Sequence, residues 1–200
     1  CIANGQHVIL LNRDHPEPGP ETLEVTSRRA ATEAFHMLER AGCKRLLVAA
    51  SDIGSPSIRA REEAFVAAAA EGGMSVEVRR FGPSVHQSGA EIARRAFSGR
   101  ERPDGVFCAT DLIACGFMDV ARHEFGLRIP EELCVVGFDD IEQAGWPSYA
   151  LTTFRQPIEE IASHIVSRLD GGLLDEEAAV KTTFYVEPVW RRTVRPRSAA

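Results

Sequence analysis

The 200-residue sequence lacks any apolar run approaching the roughly 20 residues of a membrane-spanning helix, and its start lacks the features of a signal peptide. Basic residues are also in deficit, because 23 Lys and Arg stand against 29 Asp and Glu for a formal net charge of −6. Nucleic-acid binding needs a basic face, so we expect no direct contact with DNA from this segment. The missing apolar run leads us to expect no membrane partner.

Motifs of the common enzyme classes are missing. The sequence contains no nucleophile elbow, Walker loop, zinc-protease helix or glycine-rich dinucleotide fingerprint. Its six histidines are dispersed, and none is spaced from another as metal ligands would be. We therefore expect no catalytic residue, no metal and no cofactor. A small α/β enzyme with Asp111 or Asp139 as general base is a weaker alternative, because neither has a partner acid or nucleophile.

The five cysteines form an odd, scattered set without a CxxC pair, which argues against a disulfide framework or a metal site. Cys43 precedes a predicted strand, Cys108 and Cys134 lie in apolar strands, and Cys115 lies in a helix. Buried, reduced thiols are the expectation for these four. Cys1 permits a lipoprotein interpretation, although a strand begins within a few residues where a flexible linker would be usual.

Short apolar runs alternate with helical periodicity along most of the chain, which is typical of a parallel α/β sheet covered by helices. The runs are continuously apolar, so strands buried on both faces are expected. The predicted strands are residues 7–12, 45–50, 76–81, 105–109 and 133–138, with a late extended run over 182–194.

Three helices are predicted from apolar residues at i, i+3, i+4 and i+7 spacing, and we assign their stripes to the core. The first ends at Gly42 and the second at Gly126, while Pro157 begins the third and Gly171 ends it. The stripes are Ala31, Ala34, Phe35 and Leu38; Ile113, Phe117, Val120 and Ala121; and Ile158, Ile161, Ala162, Ile165 and Leu169.

Polar residues follow four of the predicted strands, and ligands of doubly wound sheets bind outside the carboxyl ends of the strands. Aspartate accepts from two hydroxyls and arginine donates through a planar fork, so this edge suits a polyhydroxylated or charged small molecule. The residues are Asn12 and Arg13 after the first strand, Ser55, Ser57, Arg59 and Arg61 in a loop after the second, Thr110 and Asp111 after the fourth, and Asp139 and Asp140 after the fifth.

Arg61 and Asp139 are the pair that we most expect to bind a ligand. As a loop arginine, Arg61 should have little packing role, so Arg61→Ala is expected to abolish ligand binding and leave the fold intact. Structural roles compete at the other positions: Asp111 better suits a helix N-cap, Asp140 a turn or cap, and Arg59 a solvated helix surface.

Five segments, in order, resemble motifs of the lactose-repressor/galactose-repressor (LacI/GalR) family of bacterial transcription regulators. One such motif would be weak evidence, but five in the family's order and spacing are strong, and the resemblance extends over essentially all 200 residues. Residues 129–140 (IPEELCVVGFDD) resemble the family's VP-x-D-(I/V)-x-V-x-GFDD segment, 151–157 (LTTFRQP) its LTT-(V/I)-x-QP stretch, 110–116 (TDLIACG) its ND-x-x-A-x-G helix start, 57–65 (SIRAREEAF) its S-x-x-x-R-x-x-GF loop, and 8–13 (VILLNR) its first strand.

The resemblance implies a two-lobed, periplasmic-binding-protein-like (type I) fold with Rossmann-like parallel sheets flanked by helices and an incomplete first lobe. It places chain crossings near 24–29, 153–157 and 184–187. The implied division is 1–27 with 156–185 as a partial N-terminal subdomain, 28–155 with 186–195 as the C-terminal subdomain, and 196–200 as a tail, with the DNA-binding head absent.

The function implied is the ligand-sensing core of a cytoplasmic repressor that binds a sugar-like effector between its lobes, forms a homodimer, and reaches operator DNA only through the missing N-terminal head. A secreted sugar-binding protein of a transport system is the alternative, against which the GFDD and LTT-x-x-QP motifs argue. Carried over by position, the effector site is Asn12, Arg13, Ser55, Ser57, Arg61, Ser84, Thr110 and Asp139.

Two departures from the family pattern bear on the ligand. Thr110 replaces the usual asparagine, and Ser84 stands where an aromatic residue often stacks on a sugar ring, so an ordinary hexose is not assumed. Helix 111–125 and loop 141–147 are a candidate dimer surface, because Phe117 and Trp146 would otherwise be exposed apolar groups. The alternative is that both side chains belong to the core.

Overall fold

The computed structural model describes residues 8–13, 20–170 and 181–196. The predictions for Cys1, Gly171 and the tail from 197 onward, and for the Leu169 side chain, lie outside the described part. The elements in chain order are β1 Ile9–Leu11, β2 Glu21–Val25, α1 Ser27–Arg40, β3 Leu46–Ala50, α2 Pro56–Glu71, β4 Val76–Arg80, α3 His86–Phe97, β5 Gly105–Cys108, α4 Asp111–His123, β6 Cys134–Val136, a 3₁₀ helix Glu142–Gly145, β7 Thr153–Arg155, α5 Ile158–Asp170, β8 Lys181–Phe184 and β9 Glu187–Val189.

The chain divides into two compact units. The first comprises Cys1–Thr26 and Gln156–Glu187, and the second comprises Ser27–Arg155 and Pro188–Ala200. Among the described residues, no helix combines the length and the apolar character needed to cross a membrane.

A four-stranded parallel sheet in the order β4-β3-β5-β6 forms the centre of the second unit. Strands β3, β5 and β6 are buried at every residue, as their continuous apolarity predicted. Because the strands are parallel, their carboxyl ends lie at one edge, and the loops that follow them share that edge.

Helix pairs cover both faces of this sheet. Leu47 and Val106 belong to a core cluster with residues of α3 and α4. Phe107, the next residue along β5, instead stacks on Phe65 of α2 with 5.2 Å between ring centroids. Adjacent strand residues point to opposite faces, so α2 lies on one face and the α3–α4 pair on the other.

Helices α3 and α4 pack backbone against backbone. A Cβ on Gly89 would lie 2.0 Å from the Ile113 carbonyl oxygen, and a Cβ on Gly116 would lie 1.9 Å from the His86 carbonyl oxygen. Phe117 is fully buried here, with its ring centroid 5.3 Å from that of Phe97. Its assignment to an exposed dimer surface is therefore wrong, and the core alternative is correct for this residue.

The predicted helix ends at Gly42 and Gly126 are confirmed. Helix α1 ends at Arg40 and α4 at His123, and the two glycines follow with φ of 78° and 65°. A left-handed residue just beyond a helix is the usual glycine C-terminal stop, since a Cβ is disfavoured there.

The first unit contains a three-stranded parallel sheet in the order β1-β2-β8. Helix α5 is tied to it by the buried Glu21 carboxylate, which accepts from His164 at 2.9 Å and Arg168 at 3.0 Å. The predicted core stripe of α5 is only partly correct: Ile161 is 4% exposed, but Ile158, at the first position of the helix, is 61% exposed.

Candidate ligand-binding site

Arg61 lies in a helix and is buried, which corrects its placement in a loop with little packing role. Pro56 occupies the first turn of α2, so the helix begins five residues before Arg61. Only 3% of the Arg61 surface is exposed to solvent. Its Nη1 donates to the Ala109 carbonyl oxygen at 2.7 Å, and its guanidinium lies 3.5 Å from the centroid of the Phe138 ring. Removing it would disturb packing as well as any ligand contact.

Arg61 also approaches Asp139, with 3.8 Å between Nη1 and a carboxylate oxygen. Burial lowers the pKa of Arg61 to about 10, while the negative charges of Asp139 and Asp111 act in the opposite direction. The guanidinium therefore stays charged at neutral pH. Its Nε is buried and has no hydrogen-bond partner within the described part of the chain. Buried donors are almost always satisfied, so this position suits a ligand acceptor or a water molecule.

The loop after β6 holds two consecutive aspartates in the left-handed region. Asp139 has φ of 126° and Asp140 has φ of 55°, conformations that cost free energy for residues with a Cβ. Asp140 is fixed by ion pairs of 2.7 Å with both Arg155 and Arg191. Asp140 therefore anchors the loop through these two ion pairs, whereas the sequence predicted only a turn or cap role for it. Asp139 is the more exposed carboxylate, at 26% of its side chain.

Asp111 is neither an N-cap nor an accessible ligand residue. Thr110 is the N-cap of α4, and Asp111 is its first helical residue and fully buried. Its carboxylate accepts from the Thr153 hydroxyl at 2.6 Å and from the Ile141 backbone N–H at 3.1 Å. Burial raises the pKa of Asp111 to about 7, against the opposing effect of the Thr153 hydrogen bond.

Two hydroxyl pairs lie on the loops of the same sheet edge. Ser84, after β4, and Thr110, after β5, are joined by a 2.7 Å hydrogen bond between their side chains. Ser55 and Ser57, at the start of α2, are 3.0 Å apart. All four are partly exposed, whereas Arg59 on the same helix is exposed to solvent.

Asn12 and Arg13 belong to the first unit. Asn12 has φ of 54°, donates its backbone N–H to the Leu23 carbonyl at 2.7 Å, and accepts from the Val25 backbone N–H at 3.0 Å through its side-chain oxygen. That oxygen thus joins the end of β1 to β2. Arg13 is exposed and follows the end of β1.

Sequence reasoning missed three supporting groups in the second unit. Phe138 lies under the Arg61 guanidinium, and the Ala109 carbonyl accepts from it. Ser51 joins the loops after β3 and β4, since its hydroxyl donates to the Gly82 carbonyl at 2.6 Å. Only Phe138 carried a signal, because it directly precedes Asp139 at the end of a buried strand. No group of three or more His, Cys, Asp or Glu suited to a metal ion occurs among the residues described.

Residues 35–194 match the periplasmic binding protein-like domain family. The repressor CytR of Escherichia coli K12 is 28% identical over 156 residues, which are 77% of this chain and 46% of that protein. The repressor PurR of Photorhabdus laumondii is 33% identical over 96 residues, which are 48% of this chain and 28% of that protein. The chain thus spans less than half the length of these curated relatives, which are transcriptional repressors and not enzymes.

Solved structures share the fold. A LacI transcriptional regulator from Rhodococcus superposes with a TM-score of 0.87 at 24% identity, over 98% of this chain and 72% of that one. A LacI-family regulator from Enterococcus faecium, solved with bound ribose, gives 0.85 at 21% identity, over 98% and 73% of the two chains. The chain belongs to the periplasmic binding protein-like domain family, and it is similar to LacI-type transcriptional regulators in sequence and fold.

Proposed function

We propose that this chain binds a small polyhydroxylated molecule, a sugar or a related metabolite, at the carboxyl edge of the sheet in its second unit. The observation that carries the proposal is the buried Arg61 guanidinium, whose Nε lacks a hydrogen-bond partner among the described residues and which lies 3.8 Å from Asp139. Two fold neighbours, solved with ribose and with D-xylulofuranose, support the sugar class.

The chemistry of the edge matches adjacent hydroxyls. A carboxylate such as Asp139 can accept from two hydroxyls, and the Arg61 Nε–H can donate to a hydroxyl, ring or carboxylate oxygen. The Ser84–Thr110 and Ser55–Ser57 pairs can each exchange a mutual hydrogen bond for one to a ligand. Because Ser84 offers no flat ring, recognition rests on polar contacts and not on stacking.

In the whole protein, we propose that this core serves a cytoplasmic transcription regulator whose DNA contacts come from a helix-turn-helix segment, the segment that the names of the curated relatives specify. The net charge of −6 is consistent with a sensing role for these residues. The first unit would be part of the N-terminal subdomain and the second the C-terminal subdomain. An effector acts on such a protein only through different affinities for its two conformations.

We also propose that the regulator is a homodimer whose surface includes the exposed side chains of Val85 at the start of α3, Leu112 on α4 and Trp146. These elements are tied together, because the Asp119 carboxylate on α4 contacts His86 Nε2 at 2.8 Å and accepts from the Tyr149 hydroxyl at 2.9 Å. Exposed apolar side chains on one rigid face are typical of a protein–protein interface.

The test is calorimetric titration of the protein with neutral pentoses and hexoses, ribonucleosides and sugar acids. We expect one class to bind, and Arg61→Lys to weaken that binding at least about tenfold, because lysine keeps the charge and loses the Nε donor and the planar fork. Arg59→Lys, on the exposed face of the same helix, is the matched control and should bind as the native protein does. Equal affinity in a folded Arg61→Lys variant would place the ligand elsewhere.

A further inference from the structure

A thiol cluster lies at the opposite, amino edge of the sheet in the second unit. Cys43 lies between α1 and β3, Cys134 is the first residue of β6, and Arg195 follows β9. Both cysteines are buried and free. Neither belongs to the ligand-binding site, which is built on the carboxyl ends of the same strands.

Gly105 makes room for the two thiols to lie side by side. It is the first residue of β5 and the register partner of Cys134 in β6. A Cβ at position 105 would lie 2.7 Å from the Cys43 Cβ and 2.9 Å from its Sγ, so Cys43 fills the space that a side chain of β5 would occupy. Register partners in a sheet project their side chains to the same face. Cys43 therefore takes the position beside Cys134, with its Sγ in hydrogen-bonding range both of the Cys134 Sγ and of the Asp104 carbonyl oxygen, to which it donates at 3.3 Å.

Arg195 contacts both sulfurs. Its backbone N–H donates to the Cys134 Sγ at 3.3 Å, and its Nη2 donates to the Cys43 Sγ at 3.3 Å. The guanidinium also donates to the Ala41 carbonyl at 3.2 Å and the Pro130 carbonyl at 2.8 Å, which are neutral acceptors. The positive charge of this arginine thus lies against the sulfur pair and favours a thiolate there.

The two sulfurs are unequal. The hydrogen bond from Cys43 lowers the pKa of Cys134, and the Arg195 backbone N–H and charge act in the same direction against the effect of burial. The same hydrogen bond and burial raise the pKa of Cys43. The cluster therefore pairs a nucleophilic sulfur with an adjacent protonated thiol, which is the arrangement of an attacking and a resolving cysteine.

A cavity of about 260 Å³ opens beside the cluster. Arg195 and Ala41 line it together with Trp190, Val194 and Pro196. Arg195 joins the cavity to the sulfur pair, because it lines the cavity and donates to both sulfurs. We expect a small neutral oxidant to approach the sulfurs through this cavity, past the Arg195 side chain.

We propose that Cys43 and Cys134 form a peroxide-sensitive dithiol that closes to an intramolecular disulfide. The Cys134 thiolate attacks one oxygen of hydrogen peroxide, the O–O bond breaks, and the departing hydroxide takes a proton to become water. Cys43 then attacks the sulfur of the resulting sulfenic acid, and the hydroxyl leaves as a second water with the Cys43 proton. Two thiols and one peroxide thus give one disulfide and two waters.

Cys108 and Cys115 are natural internal controls. Both are buried in the same unit, but burial raises the pKa of each, to about 12 for Cys115, and the nearby Asp111 charge acts in the same direction. A thiol kept protonated reacts slowly with peroxide. Peroxide should therefore oxidise Cys43 and Cys134 and leave Cys108 and Cys115 as free thiols.

The experiment treats the folded Cys1→Ser protein with hydrogen peroxide, blocks free thiols, and maps non-reduced peptides by mass spectrometry. We expect a Cys43–Cys134 linked peptide that is two hydrogens lighter than its reduced parts, while Cys108 and Cys115 remain alkylated. In the Cys43→Ser variant, a dimedone probe should label Cys134 as its sulfenic acid.

Arg195→Gln keeps the backbone N–H and removes the charge, so it should slow disulfide formation about tenfold without preventing it. Arg192→Gln, an exposed neighbour, is the matched control and should leave the rate unchanged. The proposal is overturned if Cys43 and Cys134 both remain free thiols after peroxide treatment. It is also overturned if Cys134 is oxidised to a sulfinic acid and no linked peptide forms. Equal reactivity at Cys108 would overturn it as well. None of these outcomes depends on the identity of the effector.

Discussion

At the residue scale, position at the carboxyl edge of a sheet does not by itself distinguish a ligand residue from a structural one. Asp111 and Asp139 both follow strands of the second unit, yet Asp111 is fully buried and engaged by Thr153 and Ile141. Gly137 accommodates this carboxylate, since a Cβ there would lie 2.1 Å from an Asp111 oxygen. Sequence could place both aspartates at one edge, but the burial of Asp111 depends on groups from other segments, such as the Thr153 hydroxyl and the Ile141 backbone N–H.

Asp111 should make folding stability pH-dependent. Its pKa is about 7 in the folded protein against an ordinary value of 3.8, so the folded state holds the proton more tightly. The contribution of Asp111 to the free energy of unfolding is therefore greatest below about pH 4. It falls as the pH rises to about 7, by up to about 4 kcal/mol. Urea unfolding across this pH interval measures the effect.

Two variants check the assignment to Asp111. Asp111→Asn cannot titrate, so the fall in the free energy of unfolding over this interval should largely disappear. Thr153→Val removes a donor that lowers the pKa of Asp111, so the fall should extend to higher pH. A native slope retained in Asp111→Asn would assign the pH dependence to another group.

At the element scale, every uniformly buried strand was predicted, whereas β2, in which buried and partly buried residues alternate, was missed. The fully buried strands β3, β5 and β6 are apolar throughout and were predicted. Strand β2 was not, because its sequence ETLEV contains three polar residues and only two apolar ones, Leu23 and Val25. Glu21 is nevertheless buried, since His164 and Arg168 from α5 satisfy its carboxylate. Such a partner comes from more than 140 positions away in the sequence and leaves no local signal.

The contact between α3 and α4 gives an element-scale prediction. Gly89→Ala and Gly116→Ala should each lower the free energy of unfolding by about 3 kcal/mol or more, because the new Cβ would overlap a backbone carbonyl that cannot rotate away. Gly99→Ala is the matched control, since its Cβ would meet its nearest atom only at 4.0 Å. Thermal or urea unfolding separates the outcomes. Native stability in Gly116→Ala would mean that the two helices are further apart.

At the scale of the whole molecule, the sequence motifs identified the family and the α/β class, and the matches to periplasmic binding protein-like domains and LacI-type structures confirm both. The apolar surface was harder to predict. Phe117, in a helical stripe, and Trp146, in a loop, were assigned to the same candidate dimer surface, yet one is fully buried and the other is 45% exposed. Helical periodicity does not say which apolar stripe packs inside and which is left for another molecule.

Leu112 tests the proposed homodimer. Leu112→Glu replaces an exposed apolar side chain of α4 with a charge, so it should weaken self-association at least about tenfold and leave the monomer folded. Sedimentation velocity over a range of protein concentrations measures this. Val166→Glu, an exposed apolar residue on α5 of the first unit, is the control and should associate as the native protein does. If the two variants behave alike, the interface lies elsewhere.

The burial of Arg61 restricts which substitutions at the proposed ligand-binding site the fold can tolerate. Because the same guanidinium supports the Ala109 carbonyl and the Phe138 ring, a lineage that lost it would lose stability before it gained a new specificity. The Ser84 and Thr110 hydroxyls are partly exposed and bond to each other, so both can be replaced at small cost to the fold. We expect descendants of this protein to acquire new effectors through positions 84 and 110 while position 61 stays arginine. A selection for altered effector response, started from a randomised gene, should recover changes at positions 84 and 110 more often than at position 61.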